Sequence, residues 1–191
     1  MKNVITIEKE DAILLREAQQ KNEKSFALIV KKYKVEAYQI ALGFMGNHDD
    51  AWDAIQDAFT RSWLHINTFK SDKPFFPWFY QILRRICLNK IKHNNLHPLA
   101  ELDDNENYLQ DDSRFDPSVI AEQNDRNVSI WKTVYSMPVK QREIIVLRYF
   151  QELSYEEISD LLFINKGTVM SRLYYARKSL KDRLNGLLKQ E

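Results

Sequence analysis

Four glycines, Gly43, Gly46, Gly167 and Gly186, are all that this chain of 191 residues contains. A sheet protein with many tight turns needs residues that tolerate positive φ, and a phosphate-binding loop needs several glycines in close succession. Four scattered glycines argue against both. They favour helices joined by short polar connections, so the expected fold class is all-α.

The apolar positions agree. Phe26, Ile29, Val30, Tyr33, Ala37, Ile40, Ala41 and Phe44 recur at the spacing of one long helix. Before it, Asp11 is placed to cap a helix carrying Ile13, Leu14 and Leu15, which breaks at Asn22-Glu23. Gly46-Asn47 ends the long helix. Asp49 or Asp50 then caps the next, whose buried stripe is Ile55, Phe59, Trp63 and Ile66. Two prolines make the stretch from Thr68 to Pro77 a loop or a helix start. A further helix runs from Trp78 to about Lys92, with Phe79, Ile82, Leu83, Ile86 and Cys87 apolar. These elements make one helical domain over residues 11–95. Residues 96–125 lack helical periodicity at first and read as an acidic linker, with helix resuming weakly at Pro117. A second helical domain is expected over 126–188, with Trp131, Val134 and Tyr135 as one stripe and Pro138 opening the next helix.

A formal net charge of +1 conceals a strong asymmetry. Residues 1–83 are balanced, 84–97 carry four basic and no acidic side chains, 98–125 carry nine acidic and one basic, and 126–191 carry twelve basic and seven acidic. Two basic zones around an acidic one suggest two polyanion-binding surfaces joined by a segment that cannot bind polyanions itself. Charge runs that are merely solvated faces would look the same.

The second basic zone is more specific. Ser154-Tyr155-Glu156-Glu157 has the form of a capping box, in which Ser154 accepts from the Glu157 amide and Glu157 reaches back to residue 154. A short helix with Ile158, Leu161 and Leu162 follows, then a turn at Phe163-Ile164, then Asn165 capping a last helix. Two short helices about a tight turn make a helix-turn-helix. The last helix buries Val169, Leu173, Ala176 and Leu180, so its other face presents Lys166, Thr168, Met170, Ser171, Arg172, Tyr174, Tyr175, Arg177 and Lys178. Six basic residues and one acid lie between Lys166 and Arg183. Such a helix fits a DNA major groove, with its free N-terminal amides favouring phosphate.

Ser154 to Leu162, followed by Gly167-Thr168-Val169, Ser171-Arg172-Leu173 and Ala176-Arg177, resembles region 4 of the extracytoplasmic-function sigma factors, the smallest members of the bacterial sigma-70 family. Met137-Pro138 and Arg142-Glu143-Ile144 resemble the helix preceding it. In the first domain, Asp53-Ala54-Ile55-Gln56-Asp57-Ala58-Phe59 resembles the family's region 2 signature, and Phe69 and Trp78-Phe79-Tyr80 follow at the family's distance. The resemblance spans about residues 11–95 and 126–185. Four positions depart from the family's habit: Phe163 stands where glycine is common, Met170 where Lys or Arg is usual, Arg85 where Asn is frequent, and Trp52 where an acid is common.

The resemblance implies a transcription initiation factor that directs bacterial RNA polymerase core to promoters. Asp53, Gln56 and Asp57 would dock on the β′ coiled-coil of the polymerase. Lys73, Phe75, Phe76, Arg84, Arg85, Asn89 and Lys92 would open and hold the promoter −10 element. In that zone, aromatics can stack on unpaired bases and cations can track phosphates. Phe75 and Phe76 are expected to be exposed, while Trp78, Phe79 and Ile82 are expected in the core. Lys166, Thr168, Ser171, Arg172 and Tyr175 would read the −35 element in the major groove, and the second domain would rest on the β flap. An anti-sigma factor is an expected further partner. The chain is expected to be a monomer outside the holoenzyme.

Other function classes find less support in the residues. A conventional helix-turn-helix regulator would bind duplex sites without core polymerase, and residues 53–80 speak against it. No paired acid/base constellation, nucleophile motif or His-Glu-x-x-His appears, so no catalytic residue and no cofactor are assigned. Cys87, His93 and His97 lack the count and spacing of a metal site, and none is assigned. One cysteine excludes an internal disulfide. No apolar run reaches the ~20 residues of a membrane span, and Met1 to Asp11 does not read as a signal peptide, so a cytoplasmic protein without membrane insertion is expected.

Overall fold

The fold is known from a computed structural model, which describes residues 9–96, 131 and 133–187. Among these residues all regular structure is helical, in line with the glycine scarcity. The elements are α1 (Lys9–Gln19), α2 (Glu23–Met45), α3 (His48–Leu64), a 3-10 turn (Ile66–Thr68), α4 (Phe75–Leu96), α5 (Val139–Ile145), a π-helical turn (Val146–Phe150), α6 (Tyr155–Leu162) and α7 (Lys166–Leu187).

Helix α2, about 34 Å long at 1.5 Å per residue, is the common wall of the molecule. Asn22 Oδ1 caps its start by accepting from the amides of Lys24 (3.1 Å) and Ser25 (3.3 Å). Gly46, at φ +85°, closes its end by donating to Leu42 O at 2.9 Å. The stripe Phe26, Ile29, Tyr33, Ala37, Ile40, Ala41 and Phe44 is buried as the spacing predicts. Helices α1, α3 and α4 pack on α2, and so do α5 and the π turn of the second unit.

Three local expectations are corrected. Asp11 does not cap α1. It lies within the helix, 3% exposed, pairing with Lys32 Nζ at 2.5 Å and accepting from the Tyr33 hydroxyl. A carboxylate on the buried side of an amphipathic helix is tolerated when a cation and a hydroxyl meet it. Helix α3 is capped by Asn47, whose Oδ1 accepts from the Asp50 amide at 2.8 Å, while Asp49 and Asp50 sit in its first turn beside the unpaired amides. Helix α4 begins at Phe75, earlier than Trp78, because Pro77 falls in the first turn, where a missing N–H removes no helical bond. The acidic stretch beyond Leu96 lies outside the described residues.

The second unit gathers Val134, Met137, Ile144, Ile145, Leu147, Leu153, Ile158, Leu161, Val169, Leu173 and Ala176 into its core. Between α5 and α6 the chain widens into the π turn, where Gln151 N donates to Val146 O at 3.0 Å, and Glu152 turns at φ +54°. That widening sets Val146 against Gly43 of α2, so closely that a Cβ at residue 43 would overlap the Val146 Cγ2 methyl. An interior helical glycine costs about 1 kcal/mol relative to alanine, and here the close approach explains it.

Both halves of the Ser154 box are formed: Ser154 Oγ accepts from Glu157 N (3.2 Å) and Glu157 Oε2 accepts from Ser154 N (2.7 Å). Ser154→Ala should lower stability by about 1 kcal/mol, read from chemical denaturation. An unchanged midpoint would mean the box contributes nothing. Phe163 occupies the left-handed region at φ +54° and ψ +44° with its ring 81% exposed. Phe163→Gly should therefore raise stability by about 1 kcal/mol, the strain of an L-residue there. A lower melting temperature would show that the ring contributes packing which outweighs that strain.

Candidate nucleic-acid interface

Three side chains decide how α7 stands. Val169, Leu173 and Ala176 are fully buried at steps of four and three, which fixes the opposite face outward. Asn165 Oδ1 caps the helix by accepting from Thr168 N at 2.7 Å, and Thr168 Oγ1 donates to the same oxygen at 2.8 Å. The left-handed Phe163 ends α6 two residues earlier, so the turn between the helices is short and defined at both ends.

On that scaffold Thr168, Ser171, Arg172 and Tyr175 fall within about 100° of one another around the helix, at ~100° per residue. Ser171 and Tyr175 are exposed, whereas Thr168 and Arg172 are half-buried. Ser171 Oγ donates to Thr168 O at 3.1 Å, and Tyr175 meets Tyr174 edge-on at 5.4 Å. Lys166 is apart from them. It stands ~200° around the helix from Thr168 and donates to the Glu156 carboxylate of α6, an exposed pair bridging the turn. The hydrogen bond from Lys166, first, holds the Glu156 carboxyl below its usual value. Sequence spacing groups the five residues; the structure groups four and ties the fifth to its neighbour helix. Met170, Arg177 and Lys178 are exposed on the same helix.

The second candidate surface is α4 and the loop before it. Lys73, Arg85, Asn89 and Lys92 are exposed, the last three at steps of four and three on one face. A shallow cleft of about 460 Å³ opens beside them, lined by Trp78, Ile82, Arg85, Leu88 and Asn89 among others. The expectation that Phe75 and Phe76 are exposed is overturned: they are 1% and 0% exposed. Phe75 packs on Tyr33, Phe69 and Phe79, and Phe76 on Tyr33 and Tyr80. The early start of α4 turns both rings inward, so neither is available to a base. Phe79 is buried as expected, while Trp78 and Ile82 are only partly covered.

Arg84 is half-buried and engaged. Its Nε donates to Glu143 Oε1 at 2.5 Å and its Nη2 to Glu143 Oε2 at 3.3 Å. The Tyr80 hydroxyl also donates to Glu143 Oε1, at 2.7 Å. The Glu143 side chain is 2% exposed. The hydrogen bond to Glu143 pushes the Arg84 guanidinium above its usual value, and burial, then Glu143, pushes the Tyr80 phenol up. Sequence reasoning missed Glu143 and Tyr80 as partners of Arg84. The signal was present in the helical register: Glu143 falls four residues before Leu147, in the apolar phase of α5.

The third surface is on α3, where Asp53, Gln56 and Asp57 are exposed together. Ala51, Ala54, Ile55 and Ala58 turn the rest of the helix inward. Lys90 Nζ approaches Asp53 Oδ2 at 3.8 Å and Asp57 Oδ2 at 3.7 Å, loose pairs that leave both carboxylates accessible. The sole cysteine, Cys87, is buried in α4, and burial pushes its thiol up to about 12. Of the residues weighed with it as metal ligands, His93 is exposed on α4 and His97 lies outside the described residues. No helix among the described residues is long and apolar enough to cross a membrane.

Comparison with known proteins bears on these surfaces. Residues 29–96 match the family model for sigma-70 region 2 and residues 128–180 the model for sigma-70 region 4. The chain is 30% identical over 181 residues to the ECF RNA polymerase sigma factor SigW of Bacillus subtilis, covering 91% of this chain and 96% of that one. It is 26% identical over 188 residues to the ECF RNA polymerase sigma-E factor of Escherichia coli K12, covering 94% and 97%. Among solved structures, CnrH in complex with the cytosolic domain of CnrY superposes with a TM-score of 0.65 at 26% identity, over 93% of this chain and 99% of that one. RpoE of Bartonella quintana, solved with the anti-sigma factor NepR, shares the fold at a TM-score of 0.64 and 20% identity, over 85% and 98%. The two matched regions together span more than half of the chain, in the order the motifs gave, and the protein belongs to the sigma-70 family as an extracytoplasmic-function sigma factor, a transcription initiation factor.

Proposed function

We propose that the three surfaces act at one promoter. The single observation that carries this reading is their division between units. A helix capped by Asn165, with a basic outer face, stands on one unit, and an exposed acid-amide-acid face stands on the other. In this reading Thr168, Ser171, Arg172 and Tyr175, flanked by Lys166, read the −35 element in the major groove. Lys73, Arg84, Arg85, Asn89 and Lys92 hold the −10 element and assist strand opening. Asp53, Gln56 and Asp57 dock on the β′ coiled-coil, whose binding surface is then basic, and the second domain rests on the β flap. Residues 11–95 and 126–188 are the two working domains, with 96–125 as an acidic linker whose charge keeps it off the DNA. The chain supplies recognition and no catalytic group, acts from the cytoplasm, and is a monomer until it joins core enzyme.

An anti-sigma factor belongs to the same reading. CnrH, which this chain matches over nearly its whole length, was solved bound to the cytosolic domain of CnrY. The competing reading, a regulator that binds duplex DNA by itself, is separated by a gel shift with and without core polymerase. Run-off transcription with added core on a promoter library tests the proposal directly and yields both recognition elements. Site-selective binding to duplex DNA that is indifferent to core enzyme would sink it.

Two substitutions follow. Arg172→Ala should cost about 1–3 kcal/mol of discrimination between promoter and mismatched sites, measured by competition binding of holoenzyme. Uniform weakening on all DNA would make Arg172 a phosphate contact instead. Gln56→Ala removes an exposed side chain from α3, so it should reduce holoenzyme assembly in a pull-down while leaving the circular dichroism melt unchanged. Normal assembly would remove Gln56 from the docking face.

A further inference from the structure

The open side of α7 is more apolar than binding to a polyanion requires. Among the described residues nine large apolar side chains stand exposed, and four of them, Phe163, Met170, Tyr174 and Tyr175, crowd the turn and the first half of the last helix. Exposed apolar surface gathered in one place marks a contact site.

Helical register sorts these residues. At ~100° per residue, Met170 and Tyr174 stand one turn apart and ~40° around from each other, and Lys166 and Arg177 continue the same stripe before and after them. Met170 is 51% exposed and Tyr174 62%. Thr168 and Arg172, ~120° and ~160° around from Tyr174, are half-buried. The open face of α7 thus includes a flank that the Thr168–Arg172 grouping leaves out.

The chemistry of that flank selects its partner. It is apolar in the middle and basic around it, with Lys166 before and Arg177 and Lys178 after, all exposed. A matching surface is anionic at its edges and apolar at its centre. A DNA duplex met in the major groove has this layout. Phosphates line both walls, and the C5-methyl of thymine is the one apolar group that the base edges present there. Met170 lies in the second turn of α7, within the stretch that a helix-turn-helix brings to base edges. Its side chain is unbranched and polarisable, so it adapts to a small apolar group. It carries no strong donor with which to read guanine, the base that an arginine or lysine favours. Lys166, one turn before it, is tied to Glu156 and drawn toward α6.

We propose that Met170 reads a thymine methyl in the −35 element, with the Tyr174 ring beside it, so that this chain takes an A·T pair where a basic side chain would select G·C. The proposal rests on the −35 role given to α7 above and adds the base and the atom that are read.

The test uses holoenzyme and the duplex promoter fragment recovered from the run-off library, resynthesised with deoxyuridine in place of each thymidine of the −35 element in turn. That exchange removes one methyl and keeps every hydrogen-bonding group. Holoenzyme binding should weaken about fourfold at one position, the worth of one buried methyl. Met170→Ala should bind the thymidine fragment about as weakly and lose nothing further with deoxyuridine. A 5-methylcytosine·guanine pair at that position should bind the parent about fourfold better than cytosine·guanine, and Met170→Ala should not distinguish the two. Met170→Arg should turn the preference there toward guanine by at least about fivefold. Equal binding of the thymidine and deoxyuridine fragments throughout the element overturns the proposal, as does a deoxyuridine penalty that survives Met170→Ala. An arginine variant without guanine preference takes residue 170 off the base edge and overturns it too. Loss of core binding by Met170→Ala in a pull-down, with an unchanged circular dichroism melt, would make the stripe a protein-docking surface instead. The promoter reading is judged separately. Holoenzyme that cannot tell the fragment from a scrambled duplex sinks that reading, whereas holoenzyme that tells them apart and ignores the methyl sinks only the role of Met170.

Discussion

Everything in this molecule leans on the buried face of α2. Its stripe from Phe26 to Phe44 is covered on one side by α1, α3 and α4, and its later turns are covered by α5 and the π turn. Burial of this kind stabilises by roughly 1.5–3 kcal/mol for each large apolar side chain. The stripe therefore does more to set the positions of the functional helices than any single polar contact in the molecule. The exposed faces of α3 and α4 are what remain once Ile55, Phe59, Phe79 and Leu83 have been turned toward it. The polar surfaces inherit their geometry from an apolar one.

The second unit applies the same rule on a smaller scale. Val169, Leu173 and Ala176 lock α7 by its inner face, Asn165 caps its start and the left-handed Phe163 ends α6 just before it. The short turn joins α6 to α7, and the Lys166–Glu156 pair spans it from outside. An exposed pair of this kind contributes little to stability. Its consequence is positional: one of the basic groups at the helix start is held toward α6 and away from the face shared by Thr168, Ser171, Arg172 and Tyr175.

Much of this was legible in the sequence, and the reasons for the exceptions are physical. Periodicity gave the long helix and α7 because a helical stripe repeats over many turns and is hard to counterfeit. The Ser154 box and the Asn165 cap were readable because capping is local, decided within three residues. Asp11 was misread because a carboxylate before an apolar run looks the same whether it caps a helix or lies in it with Lys32 and Tyr33 folded over it. Phe75 and Phe76 were misread because six aromatics crowd residues 69–80, and only the phase of α4, set by where it starts, sorts stacking rings from core rings. For the Glu143 cluster the register of α5 placed Glu143 in the apolar phase, but its partners were not legible. Its members are 59 and 63 residues apart, and nothing local announces such a pairing.

Cys87 has a further consequence. It is the chain's only thiol, it is enclosed within α4's inner face, and burial leaves almost none of it as thiolate near neutral pH. Peroxides and disulfides react with the thiolate, at an accessible sulfur. The folded protein is thus chemically deaf to oxidants at cysteine. A thiol-based oxidant signal therefore reaches it only through a molecule that carries a reactive cysteine of its own.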